Sequence, residues 1–374
     1  MGQLTCADCQ KEAEAEQGYL RPDGFVCRPC YEKRLGDPAY VAGLERELLG
    51  LLDTVAGNTD AAGQTLSLSQ PLGEAARCAL DSLTGLAVGD ALGATREGRP
   101  YDPGAPPLSL PRPDSSALWT DDTQMALSVV EVLLEAGEID TGRLARAFAR
   151  RYESWRGYGA GMHALLNRLR SGEEWETARF AVFRDGSFGN GSAMRVAPLG
   201  AFLGDRPDAE VVEQATRSAV VTHAHAEGVA GAVAVALAAG HAARSRGGPA
   251  PDAVRTLDAV RAALPPESAV AQGLDSARAL PPDTDLGRAV DLLGNGSRVS
   301  CADTVPLALW IATSHPDDYR SAVETAVAAG GDTDTTAAIV GGIVAARVSA
   351  SAIPTEWRDA VEPLPIVAAA PRQP

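Results

Sequence analysis

Gly85, Gly89 and Gly93 stand four residues apart in GLAVGDALGATRE (85–97), inside a stretch that reads as helix. Residues four apart share one helix face, and glycine in a helix interior costs about 1 kcal/mol relative to alanine. Three on one stripe leave a face without side chains, which a second backbone can approach closely. Tight helix packing accounts for the glycines. It does not account for Asp90 among them or for Glu97 at the exit. Aromatic residues make up only 5% of the chain, while alanine and glycine are plentiful. That bias favours closely packed helices over a sheet core, and strand-type alternation is rare across 73–374. The expected fold class is all-α: one compact helical domain over 73–374, preceded by a small module.

Four of the six cysteines lie in the first 30 residues. They read Cys6-Ala7-Asp8-Cys9 and Cys27-Arg28-Pro29-Cys30, two C-x2-C pairs at zinc-ribbon spacing. Four thiolates make a closed tetrahedral zinc site without an open catalytic position. The expectation for 1–35 is a structural Zn²⁺ module folded by its metal. The alternative, two disulfides, conflicts with a chain that opens without a signal peptide and reads as soluble and cytoplasmic. Residues 1–35 hold five Lys/Arg and six Asp/Glu, so a protein partner fits the module better than nucleic acid. Residues 38–56 carry leucines at helical spacing. Residues 57–72 lack lysine and arginine and read as a flexible linker, so 36–72 is expected as helix plus linker.

Formal net charge is −16, with no basic run of the kind that binds nucleic acid. The apolar run 228–240 is too short and too rich in alanine and glycine to span a bilayer. Acidic residues concentrate instead in two short clusters. Trp119 precedes Thr120-Asp121-Asp122-Thr123, and Gly330-Gly331 precede Asp332-Thr333-Asp334-Thr335. Each opens a stretch with helical periodicity. Asp and Thr are favoured N-caps, but one cap needs one such residue. Crowded carboxylates repel unless a cation lies between them, and all-oxygen ligands suit Mg²⁺.

Between the clusters lie segments suited to an anionic ligand. Arg156-Gly157-Tyr158-Gly159-Ala160-Gly161 breaks a helical pattern. Phe188-Gly189-Asn190-Gly191 leads into another and can offer backbone N–H groups to a pyrophosphate, or form a surface turn. Thr222-His223-Ala224-His225 is a His-x-His pair, more at home in packing or capping than as a metal site. Leu292-Leu293-Gly294-Asn295-Gly296 repeats the Gly-Asn-Gly. A loop from Tyr101 to about Leu118 holds five prolines and is a possible lid.

In order, GDALGATRE, WTDDT, RGYGAG, FGNGSAMRVAPLG, THAHAEG, LLGNG, GGDTDTTAAIVGG and IPTEW resemble the ADP-ribosylglycohydrolase family, over about residues 74–358. The resemblance implies a compact orthogonal helical domain with two magnesium ions, held by Thr120, Asp121 and Asp122 on one side and by Asp332, Asp334 and Thr335 on the other. It implies a mobile catalytic carboxylate at Glu97. It also implies ADP-ribose contacts at Gly159, Phe188, Gly189, Asn190, Gly191 and His223. RGYGAG, GNG-x-AMR and LLGNG are similar to the branch that removes ADP-ribose from serine and from poly(ADP-ribose). Phe188 departs from it, since that branch often has tyrosine there. The implied activity is hydrolysis of the bond between ADP-ribose and a modified protein or polymer. Arginine-linked substrates, free ADP-ribose esters and a non-catalytic binding or scaffold role are the alternatives. The cysteine module lies outside the resemblance.

Overall fold

The computed structural model describes residues 3–5, 12–14, 18–21, 24–27, 64–68, 72–104 and 116–368. The chain divides into two units, 1–62 and 63–374. In the first, β1 (Gln3–Thr5) pairs antiparallel with β2 (Glu12–Glu14), and β3 (Gly18–Arg21) with β4 (Gly24–Cys27), Gly18 opposite Cys27. Cys6, Cys9 and Cys30 lie outside the described residues, as does the side chain of Cys27, and so does the zinc site expected there.

The second unit is helical, as expected, with one small exception. β5 (Leu66–Leu68) pairs in parallel with β6 (Ile366–Ala368). The stretch 57–72 is therefore not linker throughout. Leu66 and Leu68 are buried in the core, and burial together with the strand ladder ties them to the end of the chain. The compact unit runs from 63 to 374.

Helix α1 (Glu74–Ala94) carries the glycine stripe. It is followed by α2 (Asp121–Ala136), α3 (Thr141–Arg151), α4 (Ala160–Arg170), α5 (Trp175–Ala178) and a 3-10 turn at Asn190–Ser192. Next come α6 (Ala197–Phe202), α7 (Asp208–Val220), α8 (Ala226–Arg244), α9 (Ala253–Ala262), α10 (Ala269–Ala279) and α11 (Leu286–Leu293). The last are α12 (Cys301–Ser314), α13 (Tyr319–Ala328), α14 (Thr333–Val348) and α15 (Thr355–Ala360).

The glycine stripe does what its spacing predicts, and its partner is α14. A Cβ on Gly85 would lie 2.4 Å from the Gly341 carbonyl oxygen. On Gly89 it would lie 2.1 Å from that of Ala337, and on Gly93 2.3 Å from that of Thr333. Only hydrogen fits at these three places. Thr333 adds a hydrogen bond from Oγ1 to the Gly93 carbonyl, at 2.8 Å. The α1–α14 pair thus runs backbone to backbone, with the start of α14 beside the end of α1. Helix α8 is long and apolar enough to cross a membrane, but two thirds (67%) of its apolar window is buried inside the protein, where it serves as a core helix.

Candidate metal centre and ligand cleft

The first acidic cluster sits at the start of α2, with Thr120 at the N-cap position. Thr120 makes no side-chain cap of its own. Two N–H groups at this helix end, those of Thr120 and Thr123, go instead to Asp90 on α1. Its carboxylate accepts from Thr120 N (3.0 Å), Thr120 Oγ1 (2.8 Å), Thr123 N (3.1 Å) and Thr123 Oγ1 (2.5 Å). This is the work that sequence reasoning left unassigned to Asp90. Its signal was a buried-helix aspartate on the glycine-stripe helix with no local partner. Because Asp90 serves the helix end, the carboxylates of Asp121 and Asp122 are free for other duty.

The second cluster opens α14 in the same way. Gly330 and Gly331 hold left-handed φ values of 67° and 75°, and Asp332 makes no side-chain cap. The second Gly-Asn-Gly braces this turn. Asp332 N donates to the Asn295 carbonyl at 3.1 Å, and Asn295 Nδ2 to the Ala329 carbonyl at 3.0 Å. A Cβ on Gly331 would lie 2.3 Å from the Asn295 carbonyl oxygen. Sequence reasoning marked this repeat without giving it a place in the site. The first Gly-Asn-Gly reaches the cluster directly: Asn190 Nδ2 donates to Asp332 Oδ2 at 2.7 Å and to Thr304 Oγ1 at 3.0 Å.

Asp90, Asp122 and Asp334 each place one carboxylate oxygen within 4.8 Å of the others, all buried. Asp122 Oδ1 is buried without a hydrogen-bond partner. Burial and mutual repulsion raise the carboxyls of Asp121, Asp122 and Asp334 well above the usual carboxylate range. Asp90 is pushed up to about 6, chiefly by burial, against the pull of its threonine donors. Burial, then Asp332, raises Glu97. Buried like charges around an unpartnered oxygen fit a cation, and an all-oxygen donor set fits a hard one.

All of these carboxylates but Asp90 line a cleft of about 680 Å³. Glu97, Asp121, Asp122, Asp332, Asp334 and Thr335 line it, as do Gly159, Gly189, Asn190, Gly191 and His223. Thr120 stands behind them, its Oγ1 3.2 Å from Asp122 Oδ2. Phe188 is the exception. Its ring is 53% exposed, packs edge-on against His225 at 5.7 Å and does not line the cleft. The two histidines also part ways: His225 caps α8, Nδ1 accepting from Glu227 N at 3.1 Å, while His223 faces the cleft.

Arg156, which the sequence marked only as the head of a glycine segment, has a bracing role of its own. Its guanidinium lies 3.4 Å from the Trp119 ring centroid and 3.7 Å from that of Trp155. It donates to the Trp119 carbonyl (2.9 Å) and to both carboxylate oxygens of Glu362 (2.6 and 2.9 Å). Its own carbonyl accepts from Asp121 N at 2.7 Å. The proline-rich loop expected as a lid has residues 105–115 outside the described residues.

A family model described as ADP-ribosylglycohydrolase matches residues 74–372. The chain belongs to the ADP-ribosylglycohydrolase family. It is accordingly a hydrolase of ADP-ribosyl glycosidic bonds. Human ADP-ribosylhydrolase ARH3 is 30% identical over 296 residues, 70% of this chain and 78% of that protein. The ADP-ribosylarginine hydrolase Tri1 of Pseudomonas putida (strain GB-1) is 29% identical over 297 residues, 75% of this chain and 73% of that protein. A solved structure titled ADP-ribosylglycohydrolase-related protein complex superposes with a TM-score of 0.57 at 28% identity, covering 78% of this chain and 94% of that one. The family domain excludes 1–73, the cysteine pairs with it.

Proposed function

We propose that this protein is a magnesium-dependent hydrolase that releases ADP-ribose from O-linked, serine-type sites on proteins and from ADP-ribose polymer. The observation that carries this reading is the meeting of Asp122, whose oxygen lacks a partner, with Asp334 from the far end of the domain. They meet in a cleft that also holds the Gly-Asn-Gly turn. Thr120, Asp121, Asp122, Asp332, Asp334 and Thr335 would hold two Mg²⁺ ions. When bound, such ions supply Lewis acidity toward the distal ribose hydroxyls and water.

The remaining chemistry belongs to the chain. Cleavage of a glycosidic bond develops oxocarbenium character at the anomeric carbon and negative charge on the leaving oxygen. Glu97, whose carboxyl is raised by burial and then by Asp332, is the residue that would hold a proton for that oxygen or orient the attacking water. Asn190 keeps Asp332 turned toward the cleft. The backbone of Gly189–Gly191 receives the pyrophosphate beside His223. Phe188 stacks from the rim only if the ligand extends past the Gly-Asn-Gly turn.

The similarity to an ADP-ribosylarginine hydrolase supports a second reading, cleavage of the N-linked arginine bond. A non-catalytic binding role would leave the shared burial of Asp122, Asp334 and their partners without a purpose. For the amino-terminal module the proposal is one structural Zn²⁺ on Cys6, Cys9, Cys27 and Cys30, and a protein partner.

The test is to supply the full chain and Mg²⁺ with serine-, arginine- and polymer-linked ADP-ribose and to measure free ADP-ribose, with zinc measured by elemental analysis on the same sample. Serine-linked release is expected. It should fall by about 100-fold or more in Asp332→Asn with the helical circular dichroism kept, and stop in excess EDTA. Full turnover in EDTA would sink the metal reading, and release from arginine alone would select the second one.

A further inference from the structure

Arg195 is completely buried beside the cleft, yet none of its hydrogen bonds goes to a carboxylate. Nη1 donates to the Gly191 carbonyl at 3.2 Å. Nη2 donates to the Ser218 carbonyl and to Thr222 Oγ1, each at 2.9 Å. The guanidinium lies 4.5 Å from the Phe148 ring centroid. A buried charge is costly unless its donors are satisfied; Nε is buried without a partner, so what Nη1 and Nη2 hold matters.

The bond to Thr222 has a direction. Arginine has donors only, so the Thr222 oxygen accepts there. The hydroxyl's single hydrogen then needs an acceptor, and the other polar atom on Oγ1 is His223 Nδ1, at 2.7 Å. With Nδ1 accepting, a neutral imidazole carries its proton on Nε2. Burial, then the Arg195 charge, holds the ring neutral, its pKa lowered to about 3. Nε2 faces the Gly-Asn-Gly turn: a Cβ on Gly191 would lie 3.1 Å from it, and one on Gly189 3.5 Å. Both glycines line the cleft with His223.

We propose that Arg195 and Thr222 are positioning residues that lock His223 as a neutral Nε2–H donor aimed past Gly189 and Gly191 into the cleft, where it donates to a diphosphate oxygen of the ligand. The ligand half rests on the ADP-ribose reading above; the lock does not. Arg195 thereby acts at two points on the same wall, through the Gly191 carbonyl and through Thr222. It supplies fixed donor polarity to an anion in a chain whose net charge is −16.

Long-range proton–nitrogen spectra of the imidazoles in the full chain, with His223→Gln to assign the signal, test this. Wild type should show His223 as the Nε2–H tautomer, unchanged between pH 5 and 8, and ADP-ribose should move its Nε2 resonance. Thr222→Val should lose the single tautomer and weaken ADP-ribose about tenfold by calorimetry. Thr222→Ser should restore both. An Nδ1–H or cationic ring in wild type would overturn the lock, as would Thr222→Val with wild-type tautomer and affinity. Wild type with the expected tautomer but no ADP-ribose binding would overturn the ADP-ribose reading and the ligand half here, and would support the lock.

Discussion

Asp122 and Asp90 are chemically alike and lie in one buried cluster, yet their surroundings give them different work. Asp90 accepts from two backbone N–H groups and two hydroxyls, which leaves little capacity for a cation. Asp122 keeps an oxygen with no partner. Residue type and spacing marked both clusters as cation ligands, but not the division of labour, because the Asp90 bonds cross 30 and 33 positions of chain. Glu97 lies at the cleft wall with a raised carboxyl. If it carries a proton, Glu97→Gln should lower kcat by about 10²–10⁴-fold while Mn²⁺ binding, followed by electron paramagnetic resonance, stays near wild type. Equal losses in kcat and metal affinity would make Glu97 a ligand instead.

Among the elements, the α1–α14 pair decides where the site is. Its glycines bring the end of α1 against the start of α14, which sets Asp90 near Asp334. Helix α2 joins them through the Asp90 cap. The spacing of Gly85, Gly89 and Gly93 announced a backbone contact in the sequence. The identity of the partner did not follow, since α14 is far along the chain. Gly89→Ala would place a methyl 2.1 Å from a backbone oxygen that cannot move without its helix. It should destabilise by about 3 kcal/mol, read as a lower urea midpoint. Gly73→Ala, where a Cβ meets nothing within 4 Å, should stay near wild type. A tolerated Gly89→Ala would disprove the close contact.

At the scale of the whole molecule the carboxylate cluster ties stability to pH and to metal. Folding raises the pKa of Asp90 from 3.8 to about 6 and holds Asp121, Asp122 and Asp334 well above their ordinary range. Groups raised in the folded state favour it when protonated. Their contribution is complete below the unfolded value and is lost as pH rises through the folded one. In EDTA the melting temperature should therefore fall as pH increases from about 4 through 6 and beyond. Mg²⁺ should raise it, most strongly near pH 7, because a ligand that binds only the folded state stabilises it. A metal-free melting temperature that climbs over that range, or one that Mg²⁺ leaves unmoved at pH 7, would contradict the cluster's role.

Residue types and local periods were enough to mark a helical domain, two carboxylate clusters at helix starts and glycine turns suited to an anion. Each of these is a short-range pattern, set by the helical repeat and by side-chain chemistry. Folding in three dimensions decided that Asp90 caps α2, that Arg156 clasps Glu362 against Trp119, and that 66–68 joins the end of the chain rather than a linker. It also decided that Phe188 packs on His225 outside the cleft lining while His223 lines the cleft. Those outcomes depend on hydrogen bonds and packing between residues distant in sequence. No local pattern encodes which donor a buried carboxylate will meet.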